Sequence, residues 1–252
     1  MLAIIIGVNP LLRLLNAPSE SFNEAKNYLI ICALGMVFIF GYNANRKNQF
    51  FTIKGCNMFE EYLEETEYID YSDVDVKKLA DSLREDSKDE IELIQKTYYY
   101  VRDVIKHSWD VQDTRITVSA SDVLRAGVGI CWAKANLLAA LLRANGIPTG
   151  FSYQRLTLGD TPDTGYCIHA LNTVFVASCD KWIRLDARGN KEGVQAEFSL
   201  DEEKLAFKIS SEGEMDYRDN HSYPDESLMI VLKNSTDAID MYLHHLPDAL
   251  GY

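Results

Sequence analysis

The chain has 252 residues, 47% of them hydrophobic, which is enough for one well-packed core with extensions but not for two large cores. Its formal net charge is −13, and so acidic a surface repels phosphate backbones, which argues against a nucleic-acid partner. The sequence has no zinc-finger spacing, Walker loop or dinucleotide-binding glycine pattern, so we expect no cofactor.

Residues 1–57 form an N-terminal extension that differs in character from the rest. They carry a net charge of +3, whereas the remaining 195 residues carry −16. Their apolar stretch 28–42 has 15 residues, between a buried helix and the roughly 20 of a membrane span, and Arg46 and Lys47 follow it as a cytoplasmic flank would. Three interpretations compete: a short membrane anchor through residues 28–42, a hydrophobic hairpin, or a natural start at Met58, which we favour. A membrane is a partner only under the first interpretation.

Helical patterns dominate from Met58 to Pro148. Apolar residues recur there every three or four positions, with capping residues before them and glycine after them. The predicted helices are one through Val76–Leu83 capped by Ser72, one opened by Lys88–Asp89 that continues to Ile105, a short one at Val123–Ala126 capped by Ser121, and a strong one over Cys131–Asn145.

The period then changes to two, which predicts strands. The predicted strands are Gly150–Leu158, Tyr166–Ala177 and Lys181–Ala187, the last two joined by the tight turn Ser178–Asp180. Helices followed by an antiparallel sheet indicate an α+β domain over residues 58–190. For the extension 191–252 we predict a strand at Val194–Phe198, a helical start at Leu200–Ala206, a polar loop at Ser211–Pro224, and helices at Asp225–Lys233 and Thr236–Leu246.

The candidate nucleophile is Cys131, at the predicted start of the Ala/Leu-rich helix. The chain has five cysteines at irregular spacings, which argues against a disulfide framework and favours a reducing compartment, so we expect a cytoplasmic protein with thiols available for chemistry. Gly127 and Gly129 precede Cys131 and would let a substrate approach closely. A helix N-terminus favours a thiolate, and its free backbone N–H would hold a developing oxyanion.

His169 and Asp186 lie on the predicted hairpin. His169 is near the start of its first strand and Asp186 near the end of its second strand. Pairing about the turn therefore makes the two residues cross-strand neighbours within side-chain reach. An imidazole next to a thiol takes its proton, and a carboxylate fixes the tautomer of that imidazole. The sequence thus predicts a Cys131–His169–Asp186 triad.

The segment Ala120–Pro148, with Gly-Ile-Cys-Trp opening the helix and Arg-Ala-Asn-Gly-Ile-Pro closing it, resembles the transglutaminase-like family of papain-like fold, in its small bacterial form. The His169…Asp186 hairpin resembles that family's later motifs. The resemblance covers about Ile91–Asn190. It implies N-terminal helices packed on an antiparallel sheet, and the three catalytic positions at Cys131, His169 and Asp186. The sequence lacks the flanking β domains and calcium loops of animal transglutaminases, so calcium dependence does not carry over.

The resemblance implies acyl transfer or hydrolysis at a glutamine or peptide amide of a protein or peptide substrate. A cysteine peptidase or amidase on the same fold and a non-catalytic binding module are the alternatives. The family's second oxyanion donor lies upstream of the cysteine, and our candidates for oxyanion or cleft residues are Trp109, Gln112, Ser119, Trp132 and Gln154.

A zinc site is a less favoured alternative. Cys167 and His169 are two residues apart and would face one side of their strand, where Cys131 or Asp186 would join them. Paired Cys-x-x-Cys spacing is absent, so we predict no metal.

Overall fold

A computed structural model describes residues 59–159 and 162–251 of the chain. The predictions for residues 1–57, for the apolar stretch 28–42 and for a start at Met58 lie outside these described residues. Within the described part, no helix is both long and apolar enough to cross a bilayer. The predicted α+β architecture is confirmed, with helices packed on an antiparallel sheet.

The first two helices begin at aspartate caps. Asp73 accepts hydrogen bonds from the backbone N–H groups of Asp75 and Val76, and Asp89 accepts one from that of Glu92. The cap of the first helix is therefore Asp73 and not Ser72, because the aspartate carboxylate reaches the free N–H groups. The helices are α1 (Val74–Glu85) and α2 (Glu90–Tyr99), and α2 continues into a π-helical turn (Tyr100–Val104).

Short elements lead from α2 to the central helix. They are β1 (Lys106–His107), α3 (Ser108–Val111), α4 (Ala120–Ala126), β2 (Val128–Gly129) and the central helix α5 (Cys131–Arg143). Ser119 caps α4 in a reciprocal capping box with Asp122, two residues before the predicted cap. Gly127 ends α4 with φ 68°, a left-handed conformation that favours glycine. The parallel pairing of β1 with β2 places His107 opposite Gly129.

The four-stranded sheet is antiparallel, in the order β5-β4-β3-β6. Its strands are β3 (Thr149–Thr157), β4 (Tyr166–Val176), β5 (Lys181–Leu185) and β6 (Met215–His221). The predicted polar loop over Ser211–Pro224 was wrong in its centre, because β6 lies there. This strand is polar because it forms an edge of the sheet and most of its side chains are half-buried or exposed.

Helix α5 is buried along nearly its whole length against β4. The indole Nε1–H of Trp132 donates to the Ile168 carbonyl at 2.8 Å, and the Asn172 amide donates to the Ala135 carbonyl at 3.1 Å. These bonds fix the start of the helix beside the start of the strand. The fully buried Lys134 ammonium donates to three backbone carbonyls and joins the helix to the segments around it.

The chain after β5 crosses the sheet before it ends in two helices, α6 (Glu226–Asn234) and α7 (Ala238–His244), close to their predicted positions. The predicted strand at Val194–Phe198 and the helical start at Leu200–Ala206 were wrong. In that segment Val194 and Ala196 are buried while the residues between and after them are exposed. The alternation of apolar and polar residues in this segment therefore reflects alternating burial and not hydrogen bonding to a neighbouring strand.

Candidate active site

Cys131 is the first residue of α5, and the two residues before it determine its surroundings. Ile130 occupies the N-cap in extended conformation without a capping side chain, so the first N–H groups of the helix remain available. Gly129 packs closely, because a Cβ there would lie 3.1 Å from the Thr117 hydroxyl oxygen. Cys131 itself is half-buried and free of any disulfide. A half-buried thiol at an uncapped helix N-terminus suits a nucleophile that substrate must reach.

His169 and Asp186 form a buried pair. His169 Nε2 lies 2.9 Å from Asp186 Oδ2, and their side chains are 5% and 0% exposed. The β4–β5 ladder ends at the Asn172–Leu185 pair, so Asp186 follows the last paired residue and its carboxylate turns back to the ring.

The Asp186 carboxylate is further held by two backbone N–H groups. Arg188 donates to Oδ1 at 3.1 Å and Ala206 donates to Oδ2 at 3.0 Å. Burial raises the pKa of Asp186, but the His169 ring and these backbone donors outweigh burial and lower it overall. The carboxylate is thus kept ionised and oriented toward the ring.

The electrostatics of His169 favour its protonated form. Burial lowers the pKa of His169, but attraction to the Asp186 carboxylate and to the Cys131 sulfur, with hydrogen bonds to both, raises it to about 10. Because Nε2 is engaged by Asp186, Nδ1 is the ring nitrogen left for the thiol. The arrangement therefore has the order sulfur, imidazole, carboxylate that an ion-paired thiol site requires.

A cleft of about 940 Å³ opens above the thiol. Cys131 and His169 line it, together with apolar side chains from before and after them in the chain. The Cys131 thiol therefore lies in an open cleft lined by both polar and apolar side chains, where a substrate has access to the sulfur.

Two of the predicted cleft residues lie at the site. Trp109 lines the cleft and stacks on Tyr242 with ring centroids 4.3 Å apart. Trp132 also contributes to the lining, although it is 1% exposed and mainly ties α5 to β4 through its bond with Ile168.

The other predicted residues lie outside the cleft lining. Gln112 is exposed with φ 54°, and its amide donates to the Trp109 carbonyl. Ser119 is the N-cap of α4. Gln154 pairs with His169 across the β3–β4 ladder, but it lines a neighbouring polar depression. Its buried Oε1 has no hydrogen-bond partner among the described residues.

Among the cleft residues that sequence reasoning missed are the polar residues His107 and Arg188. His107 is 5% exposed, and no group in the described part of the chain bonds its buried Nδ1. Burial and the nearby Arg188 guanidinium lower its pKa well below the usual value, so the ring is neutral. His107 lies in the two-residue strand β1, which is too short to show a periodic pattern in the sequence. Arg188 forms a bidentate pair with Asp110, and its place just after Asp186 was the available signal.

The residues considered for zinc do not assemble into a ligand set. Cys167 lines the cleft near Cys131, and burial, with a smaller repulsion from Cys131, raises the pKa of its thiol to about 12. Over residues 59–159 and 162–251, no cluster of three or more His, Cys, Asp or Glu side chains is arranged to hold a metal ion.

Comparison with known proteins agrees with this geometry. Residues 77–187, less than half of the chain, match the family model of the transglutaminase-like superfamily, so this segment is similar to that family. The match includes all three residues of the site and ends one residue after Asp186.

Similar solved structures include a candidate cysteine protease from Cytophaga hutchinsonii, at 19% identity and TM-score 0.45, covering 54% of this chain and 44% of that one. The periplasmic domain of TgpA from Pseudomonas aeruginosa matches at 18% identity and TM-score 0.39, covering 50% of this chain and 45% of that one. The chain thus spans less than half the length of either structure. No curated protein matches it.

Proposed function

We propose that the protein is a thiol enzyme of transglutaminase type that acts on a glutamine or peptide amide of a protein or peptide substrate. Cys131 is the nucleophile, His169 its acid and base, and Asp186 the group that orients the ring. The observation that carries the proposal is the buried His169–Asp186 pair at 2.9 Å, in the same cleft as the Cys131 thiol at the start of α5.

The reaction begins with attack of the Cys131 thiolate on the amide carbonyl carbon. The carbonyl oxygen becomes an oxyanion, held by the backbone N–H of Cys131 at the uncapped helix start. When the C–N bond breaks, the His169 imidazolium gives its proton to the leaving ammonia or amine, and a thioester remains. Water or a second amine then attacks the thioester while His169 takes the proton, and the thiolate returns.

The group that attacks the thioester, water or an amine, determines which reaction the protein catalyses. If water resolves the thioester, the protein is a cysteine peptidase or amidase, and if a primary amine does so, it is a transamidase. Incorporation of a fluorescent amine into a glutamine-containing protein, measured together with ammonia release, distinguishes them. Ammonia with incorporation supports transamidation, whereas cleavage or ammonia without incorporation supports hydrolysis.

The test of the site itself is the pH dependence of alkylation by iodoacetamide, followed by mass spectrometry. A free thiol has a pKa of about 8.5, so at pH 6 only about 0.3% of an ordinary thiol is thiolate. We expect Cys131 to be alkylated at pH 6 at least about tenfold faster than this fraction allows, because the imidazolium stabilises its thiolate. His169→Ala should remove that excess.

Cys179 is the matched internal control, since it is exposed on a turn in the same molecule. Cys167 should react slowest, because burial raises its pKa. Cys131 labelling that follows the Cys179 curve would refute the enzyme proposal and favour a non-catalytic binding module.

A further inference from the structure

The cleft is completed by residues outside the family match. Segments after residue 187 contribute two apolar groups to its lining, one from the chain crossing the sheet and one from α7 and the residues after it. These groups are Val194, Leu205, Ala206 and Phe207, and Tyr242, Leu243 and Leu246. This part of the cleft lining therefore comes from segments that follow the family match.

Tyr242 is the best-anchored member of the second group. Its ring stacks on Trp109 at an interplanar angle of 18°, and His107 meets it edge-on with centroids 6.4 Å apart. Helix α7 is joined to this region because the Ala238 N–H donates to the Thr114 carbonyl at 2.8 Å. None of the described residues forms a hydrogen bond with the Tyr242 hydroxyl, which leaves the ring face and the hydroxyl for a ligand.

Tyr242 lines the same cleft as Cys131 and Cys167. Burial, with smaller contributions from the charges of Cys167 and Cys131, raises the pKa of the Tyr242 hydroxyl well above its usual value. The hydroxyl therefore stays neutral at working pH. In the other apolar group, the Phe207 ring meets the His169 ring edge-on, with ring centroids 5.1 Å apart.

The charges at the cleft disfavour a cationic substrate. Arg188, Lys191 and Lys208 line it, and the first two share the single carboxylate of Asp110. The acidic residue in the lining, Glu214, already accepts hydrogen bonds from two backbone N–H groups on one oxygen and from Thr157 on the other. No free carboxylate among the described lining residues would receive an ammonium group.

We propose that the cleft selects a peptide with a bulky apolar side chain, aromatic above all, next to the reacting carbonyl, and that Tyr242 is the substrate-binding residue that sets this preference. The inference rests on the proposed function for a peptide-amide substrate, because it takes Cys131 as the reacting group and a main-chain carbonyl as its target. The substrate ring packs against Tyr242 and water is displaced from apolar surface, which favours an aromatic over a methyl or ammonium side chain.

The test uses acetyl-aminoacyl chloromethyl ketones, in which the Cys131 thiolate displaces chloride and forms a thioether. Second-order labelling rates are measured for the phenylalanine, alanine and lysine reagents and divided by their rates with glutathione. We expect the phenylalanine reagent to label at least about tenfold faster than the alanine reagent, equivalent to about 1.4 kcal/mol. The lysine reagent should be slower than both.

Tyr242→Ala should reduce the phenylalanine-to-alanine ratio to about threefold or less, because the packing surface is removed. Tyr242→Phe should preserve the ratio, and Tyr223→Ala, a tyrosine outside the cleft lining, is the matched control. If Tyr242→Ala does not fold, as judged by circular dichroism, Leu246→Ala tests the same group of side chains and should also lower the ratio.

Iodoacetamide labelling of each variant separates the two proposals. Fast Cys131 alkylation at pH 6 with equal phenylalanine and alanine rates, or with a ratio that survives both Tyr242→Ala and Leu246→Ala, would overturn this inference and leave the enzyme proposal standing. Alkylation of Cys131 no faster than that of Cys179 would overturn both.

Discussion

The substitution Asp186→Asn tests whether the carboxylate maintains the ion-paired thiol. The carboxylate accepts three hydrogen bonds, from His169 Nε2 and from the backbone N–H groups of Arg188 and Ala206. An amide of the same shape has one acceptor oxygen. If that oxygen faces His169 and Ala206, the amide NH₂ meets the Arg188 N–H, which is a contact between two donors. The variant therefore loses a charge and at least one hydrogen bond while keeping the volume.

The expected fall in alkylation rate is set by the hydrogen bond between the His169 ring and the Asp186 carboxylate. A hydrogen bond to a charged group contributes about 1.5–3 kcal/mol, which corresponds to a factor of about 10 to 150 in the population of the imidazolium form. Attraction to Asp186 is the largest influence that raises the pKa of His169. Without it, the pKa of His169 falls, so less imidazolium stands in the cleft with the Cys131 sulfur at pH 6.

The assay is iodoacetamide alkylation of Cys131 at pH 6 and pH 9 in the wild type, in Asp186→Asn and in Asp219→Asn, whose aspartate is exposed on β6. We expect the rate at pH 6 to fall about 10- to 150-fold in Asp186→Asn, with a smaller fall at pH 9, where an ordinary thiol is largely ionised. Urea unfolding confirms that each variant is folded. An unchanged pH profile in folded Asp186→Asn would refute the role given to the carboxylate.

Two further predictions concern stability. Because the pKa of His169 is raised from about 6.5 to about 10 on folding, its contribution to the free energy of unfolding is complete below about pH 6.5 and is lost as the pH rises through about 10. The measurement is urea unfolding of the wild type and of His169→Gln at pH 5.5 to 10. The difference in their unfolding free energies should shrink between about pH 6.5 and about pH 10. A constant difference would contradict the pairing of His169 with Asp186. Trp132→Phe removes the indole N–H that donates to the Ile168 carbonyl, so it should lower the unfolding free energy by about 1–3 kcal/mol. A loss below about 0.5 kcal/mol, measured by urea unfolding, would contradict this prediction.

The central part of the site was predictable because local signals determine it. The glycines at 127 and 129 place Cys131 at a helix start, and the turn at Ser178–Asp180 sets the register that brings His169 near Asp186. These signals lie within about ten residues of the features they determine, and short-range patterns are what a single sequence displays most clearly.

The rest depends on contacts between distant segments. His107 reaches the cleft only because β1 pairs with β2, and two-residue strands show no period. Strand β6 pairs with β3 across more than sixty residues, and its polar sequence reflects an edge position that no local pattern reveals. The same holds for Tyr242, which stacks on Trp109 from the far end of the chain. The roles given to these residues stay predictions, as do the domain boundaries, the cytoplasmic location and the peptide substrate.

The hydrogen bonds to Asp186 indicate how long a segment must be inherited together for the carboxylate to stay in place. Sequence similarity to the family ends at residue 187, but two of the three hydrogen bonds to the carboxylate come from Arg188 and Ala206, beyond that limit. A recombination breakpoint placed at residue 187 would transfer Cys131, His169 and Asp186 but not the Arg188 and Ala206 N–H groups that bind the Asp186 carboxylate. In this chain, the segment that holds the Asp186 carboxylate in place is therefore longer than the segment that matches the family. Gene fusions that preserve function should retain the segment through at least residue 206.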